Sequence, residues 1–181
     1  MLNRNFKTVM LGWFMSSQAK KTNTPRFQTQ TIYNVDGTAA SYPLSDNQSD
    51  CELATATIIN GLNQLSTNNR IARQSQQRLF LSVGTGATEA TEEDYTLEAE
   101  NTDVTCEAIT HTYTQGYKRQ ITATFNNPTN QNITLKEVGL FFETYYDDSV
   151  YIYTNTIMLA RENINVTIPA GESKAITMEI G

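Results

Sequence analysis

From Leu79 to the end of the chain, apolar and polar residues alternate with a period of two. Leu79, Leu81 and Val83 share one face and run into Gly84-Thr85-Gly86. Val104, Cys106 and Ala108 open the next run, with Ile109 and Tyr113 on the other face. Ile121, Ala123 and Phe125 alternate with Thr122 and Thr124, and Asn126-Asn127-Pro128-Thr129-Asn130 closes that run as a turn cluster. Residues 133–142 follow, made partly two-sided by Phe141-Phe142, then residues 150–159 after Asp147-Asp148. Ile164, Val166 and Ile168 lead through Pro169-Ala170-Gly171 into Ile176, Met178 and Ile180. Successive side chains of a strand point to opposite faces, so a period of two marks half-buried strands. About seven such short runs, evenly spaced and separated by turn residues, predict a mainly β fold: an antiparallel β-sandwich over residues 79–181.

Upstream the pattern changes. Leu2, Phe6, Val9, Met10 and Trp13 recur at helical spacing and predict an amphipathic N-terminal helix over residues 1–15. Its stripe suits either the domain's own core or a neighbouring subunit, and Phe6, Met10 and Trp13 are the candidate subunit-interface residues, since aromatic and Met side chains are enriched at interface centres. Residues 16–78 read as an arm or linker region. Within it, residues 27–35 are expected to be extended, Asp36-Gly37 to turn, and residues 39–42 to return as a hairpin. Ser49-Asp50-Cys51-Glu52 fits a capping box and starts a second short helix over about residues 50–65, although Ala54, Ala56 and Ile58 alternating with Thr55 and Thr57 also fit a strand.

Composition narrows the function. The formal net charge is -6, with no block of Lys or Arg, so phosphate backbones and anionic membrane surfaces are disfavoured as partners. No apolar run approaches the roughly 20 residues of a membrane helix. Arg4 and Lys7 before the apolar residues 9–15 imitate a signal peptide, but that core is at the short limit and is expected to be retained. Cys51 and Cys106 lie in no CxxC and are expected to be two buried thiols, a disulfide between them being the alternative.

Candidate chemistry is sparse. His111 is the single histidine, so a triad or a shared metal lacks partners. Gly84-Thr85-Gly86 is not a phosphate-binding fingerprint. Glu89, Glu92, Glu93, Asp94, Glu98, Glu100 and Asp103 form an acidic stretch without the spacing of a calcium loop, and it reads as a solvated segment or a surface for a basic partner. No catalytic, metal or cofactor-binding residues are assigned. Tyr145, Tyr146, Tyr151 and Tyr153 flank Asp147-Asp148-Ser149 at a hairpin tip. They are either cross-strand packing residues or a contact surface for a partner or a bacterial surface glycan.

The ordered series Ser82-Val83-Gly84-Thr85-Gly86, Glu93-Asp94-Tyr95-Thr96-Leu97-Glu98, Ile121-Thr122-Ala123-Thr124-Phe125-Asn126-Asn127, Ile133-Thr134-Leu135-Lys136-Glu137-Val138-Gly139-Leu140, Met158-Leu159-Ala160-Arg161 and Val166-Thr167-Ile168-Pro169-Ala170-Gly171-Glu172-Ser173 resembles a family of small structural proteins of tailed bacteriophages. An amphipathic N-terminal segment is typical of that family; residues 16–78 carry none of the resemblance, and Glu89-Ala90 stands where the family often has a proline. The resemblance implies a non-enzymatic, cofactor-free virion component, a homo-oligomer that contacts capsid, portal, collar or tail proteins. The other function class is a receptor-binding or adhesin module using the tyrosine hairpin on bacterial glycans.

Overall fold

The computed structural model describes residues 2, 6, 33–39, 75–114, 118–147 and 152–180. Among these residues six strands form where the two-residue period runs: β1 (Ser75–Gly84), β2 (Thr105–Thr114), β3 (Lys118–Asn126), β4 (Ile133–Asp147), β5 (Ile152–Ile168) and β6 (Ser173–Ile180). They make two antiparallel three-stranded sheets, β1-β4-β5 and β2-β3-β6. The expected seven strands become six because residues 150–159 and 164–168 do not separate. Arg161, Glu162 and Asn163, polar enough to suggest a break, stay paired with Gly139, Val138 and Glu137 in one long strand.

One apolar cluster draws on both sheets. Leu79, Leu81, Val83, Leu140, Phe142, Ile157 and Leu159 come from the first sheet, and Ile121, Ala123, Phe125, Ile176 and Met178 from the second. The arrangement is therefore sandwich-like, with the alternating apolar positions turned inward. Each fully buried aliphatic or aromatic side chain of this kind contributes about 1.5–3 kcal/mol. Leu2 and Phe6 pack against the same cluster, half-buried, and Leu2 forms an antiparallel bridge with Ala160. Leu2 thus has bridge geometry, not the helical one expected of it. Phe6 is helical; the other residues of the expected N-terminal helix, Met10 and Trp13 among them, lie outside the described residues, as do the expected helix over 50–65 and Cys51.

β4 and β5 are buried on both faces in their middle. Register shifts between Leu135 and Glu137 and between Leu140 and Phe141 change which residues face inward. Glu137, Gly139 and Phe141 of β4 and Met158 and Arg161 of β5 therefore occupy the outer face, away from the second sheet, yet all are buried. Their cover is the connection between β1 and β2, residues 85–104. Its return segment joins the free edge of β1: Gly84 bridges Glu100, Thr85 N–H donates to Ala99 O at 2.8 Å, and Asn101 N–H donates to Val83 O at 2.9 Å.

The Asp36-Gly37 turn forms as expected, with Tyr33 bridging Ala39 and Gly37 at φ +80°. Asp36 Oδ1 accepts from the Thr38 hydroxyl at 2.6 Å and from Thr38 N–H at 2.9 Å, which holds its carboxyl below the usual range. The turn docks on β5 through Val35 N–H to Thr156 O, 2.9 Å.

Candidate functional site, a buried ionic frame under the β1–β2 connection

Glu137 and Arg161 are buried charged residues of β4 and β5, and they meet on the outer face of the first sheet. In β-sheet register Arg161 pairs with Gly139, two residues along from Glu137, so the two side chains are diagonal neighbours. Arg161 Nε donates to Glu137 Oε2 at 2.8 Å, with Glu137 fully buried and Arg161 only 3% exposed. The guanidinium fork then reaches into the connection. Nη1 donates to Asp94 Oδ2 at 2.7 Å, and Nη2 donates to Thr88 O at 3.2 Å while lying 3.8 Å from Glu98 Oε2. A planar five-donor group suits this three-way contact where a lysine would not.

The Glu137 carboxylate organises the connection from the other side. Oε1 accepts from Gly86 N–H at 3.1 Å and Ala99 N–H at 2.8 Å, and Oε2 accepts from Glu98 N–H at 3.0 Å. A connection buried against a sheet must satisfy its backbone N–H groups, and this carboxylate supplies three of the acceptors. Asn163 adds two more ties, donating to Thr88 O and accepting from Ala90 N–H, both at 2.7 Å.

The glycines make room for the carboxylate. A Cβ on Gly84 would run into the Glu137 carboxylate and come 2.5 Å from Ala99 O. One on Gly86 would lie 2.5 Å from Glu137 Oε1, and one on Gly139 would lie 2.6 Å from the Phe141 ring. Gly84 and Gly86 thus make room for a buried carboxylate slotted between two strands and a loop, and Gly139 for the Phe141 ring. Beside it lies a second apolar cluster of Leu97, Phe141 and Met158, flanked by Val35 and Phe80, with the Phe80 and Phe141 rings stacked at 5.4 Å.

The acidic stretch is consequently not simply a solvated loop: Asp94 and Glu98 are part of the frame. Burial alone would raise the Asp94 pKa. The Thr91 N–H, the Arg161 hydrogen bond, the Thr91 hydroxyl and the Arg161 charge together outweigh it and hold the carboxyl low. Glu98 is also held low, first by the Thr88 N–H and hydroxyl, against some desolvation. Burial works against the Arg161 charge, but hydrogen bonding to Asp94 and the charges of Glu137 and Asp94 prevail, so its pKa is raised. Carboxylates with depressed native pKa values add stability that is complete above the unfolded pKa and disappears as pH falls through the native one. The stability lead of the wild type over Asp94→Asn should thus be full above about pH 5 and shrink below about pH 4. Thermal melts of both proteins across that range check this; a lead that is constant down to about pH 3 contradicts it.

A second polar lock sits at the end of the sandwich. Asn127 is fully buried. Its Nδ2 donates to Gln131 O, Ile168 O and Pro169 O at 2.8, 3.0 and 3.1 Å, and Oδ1 accepts from the Thr129 hydroxyl and N–H at 2.7 and 3.1 Å. Its backbone bonds Glu172 O and Gly171 N–H. The β3–β4 turn and the Pro169-Ala170-Gly171-Glu172 turn are thereby tied together.

Of the residues singled out in the sequence, Phe6 packs on the core, and Met10, Trp13 and Tyr151 lie outside the described residues. Backbone register places Tyr146 opposite Tyr153 and Tyr145 opposite Thr154 near the end of the β4–β5 hairpin. His111 stands opposite Ile121 in the β2–β3 pair. Cys106, expected to be buried, is exposed at the register shift of β2, and its thiol sits 3.6 Å from Ala108 O. The side chains of Glu137, Arg161 and Asn127 escape the sequence reading. The one signal for the first two is a pair of adjacent opposite charges, Lys136-Glu137 and Arg161-Glu162, beside apolar strand runs. Among the described residues, no group of three or more His, Cys, Asp or Glu side chains is arranged to hold a metal ion. An open depression of about 490 Å³ lies between Ala87, Glu89, Lys136, Asn163 and Ile164, with Lys136 Nζ engaged by Asn165 Oδ1 at 2.8 Å. Comparison with protein-family models, curated proteins and solved structures found no match to the chain.

Proposed function

We propose that this protein is a non-enzymatic structural component of a tailed-bacteriophage virion, present in many copies on the tail, collar or capsid. The observation that carries the reading is where the phage-like sequence pieces fall. Gly84, Gly86, Asp94, Glu98, Glu137, Gly139 and Arg161 come from four of those pieces and build the ionic frame, while Asn127 and the Pro169–Glu172 turn come from two others and build the second lock. The resemblance thus follows a set of residues whose work is to hold long connections rigidly on two sheets. A rigid unit with fixed edges suits repeated assembly, because side chains and loops already ordered lose little entropy on docking.

The test is gold labelling of intact particles with an antibody raised against residues 145–153. Label on the shell or at one vertex is expected. Particles without label, from cells in which the protein is abundant, overturn the structural reading. The facing Tyr146 and Tyr153 positions support a second reading, glycan contact at the hairpin end. On that reading Tyr146→Ala with Tyr153→Ala leaves labelled particles intact but abolishes adsorption to the host.

A further inference from the structure

We propose that β2 is an assembly edge, through which two copies of this chain pair antiparallel about a two-fold axis at His111. The inference deepens the homo-oligomer part of the reading above and needs nothing of the virion setting.

Unpaired backbone along a sheet edge is a template for another strand, and proteins normally blunt it with charges, proline or a covering segment. Three of the four edges here carry at least one such device. β1 carries the return segment at Gly84, with Ala99 and Asn101 bonded to its end. β5 is met by Leu2 at Ala160 and by Val35 at Thr156. β6 carries Lys174 and Glu179 within its eight residues. Residues 108–114 of β2, Ala-Ile-Thr-His-Thr-Tyr-Thr, carry no Lys, Arg, Asp, Glu or Pro, and among the described residues no segment covers them. Among the described residues only β3 pairs with it. Its register shift lies between Cys106 and Ala108, so the run from Ala108 to Thr114 is regular. Ala108, Thr110 and Thr112 are exposed, whereas Ile109 packs partly on the core.

Symmetry then selects the partner and the register. In a two-fold pair, residue i meets j and j meets i, so the two numbers have a constant sum. Directly opposed residues of antiparallel strands share a face, and faces alternate along a strand, so that sum must be even. The axis must therefore pass through a residue. An axis at His111 uses the whole regular run. It sets Thr110 against Thr112, Ile109 against Tyr113 and Ala108 against Thr114. Thr–Thr and aromatic–β-branched pairs are the favourable cross-strand combinations. Opposed threonines already join strands in this fold, at Thr122–Thr177 (2.8 Å between hydroxyls) and Thr134–Thr167 (2.9 Å). For β6 the same rule forbids the register that would match Lys174 with Glu179, since their sum is odd. Its allowed axes at Ile176 or Thr177 set Lys174 against Met178 or Ile180. The β2 pair would make one continuous six-stranded sheet across the two copies.

Sedimentation of the full chain at tens of micromolar tests this. The wild type is expected at the mass of a dimer. Thr110→Lys with Thr112→Lys places lysine opposite lysine twice and should give a monomer, and so should Thr110→Glu with Thr112→Glu. Mixed, the two variants should return to the dimer mass, which also shows that both are folded. Thr110→Lys with Thr112→Glu should dimerise by itself, since the His111 register sets each lysine against a glutamate. A monomeric wild type, a Lys/Lys variant that keeps the dimer mass, or a mixture that stays monomeric overturns the proposal. A monomeric Lys/Glu variant overturns the register. No particle enters the measurement, so its failure is separable from failure of the virion reading.

Discussion

Arg161→Ala is expected to destabilise the protein by about 3–5 kcal/mol, the usual cost of leaving a buried charge without its partner. The side chain is 3% exposed and reaches Glu137, Asp94 and Thr88, so its removal strands the fully buried Glu137 carboxylate and unties the β1–β2 connection at two further points. Arg161→Lys should recover only part of the loss, because one ammonium cannot reproduce the forked contacts to Glu137 on the sheet and Asp94 and Thr88 on the connection. Replacing a buried ion pair with apolar residues is often neutral or stabilising. Here it should not rescue. Arg161→Met with Glu137→Leu would leave the N–H groups of Gly86, Glu98 and Ala99 without their acceptor, each costing about 1–3 kcal/mol if it stays buried. Denaturant unfolding of the single and double variants measures this. A loss below about 1 kcal/mol for Arg161→Ala, or a double variant as stable as the wild type, contradicts the structural role assigned to the frame.

Asn127→Ala should cost about 2–4 kcal/mol, since it removes the shared partner of three carbonyls and the acceptor for Thr129, at a site with no solvent exposure. Asn127→Asp is the sharper probe. It keeps the shape but points an anion at Gln131 O, Ile168 O and Pro169 O, where a donor is required. At neutral pH it should be at least as damaging as alanine, and it should regain stability on acidification, when the carboxyl again carries a proton to donate. Melting curves of both variants at about pH 7 and about pH 4 distinguish these outcomes. If Asn127→Asp proves as stable as the wild type at neutral pH, the amide donor does not hold the two turns together.

These two locks join segments that lie far apart along the chain. Gly86 precedes Glu137 by 51 positions and Asp94 precedes Arg161 by 67, yet each pair is in contact. The glycines accommodate the carboxylate, the carboxylate accepts from the connection, and the guanidinium joins both to Asp94. A substitution at any of them is felt at the others, so their effects should not be additive.

The strands, the Asp36-Gly37 turn and the mainly β class could be read without coordinates. They depend on the alternation of apolar side chains and on backbone preferences at glycine and asparagine, which are local properties. Other features emerge only when distant segments meet. Residues 152–168 form one strand because Arg161 is buried under residues 85–104 and Asn163 is tied to Thr88 and Ala90 there. Asp94 and Glu98 leave the solvated loop expected of them to meet Arg161, and Cys106 is exposed at a register shift between β2 and β3. Burial of a charge depends on partners far away in the chain, and strand order sets which edges stay open. Neither quantity is written in the periodicity of a single segment.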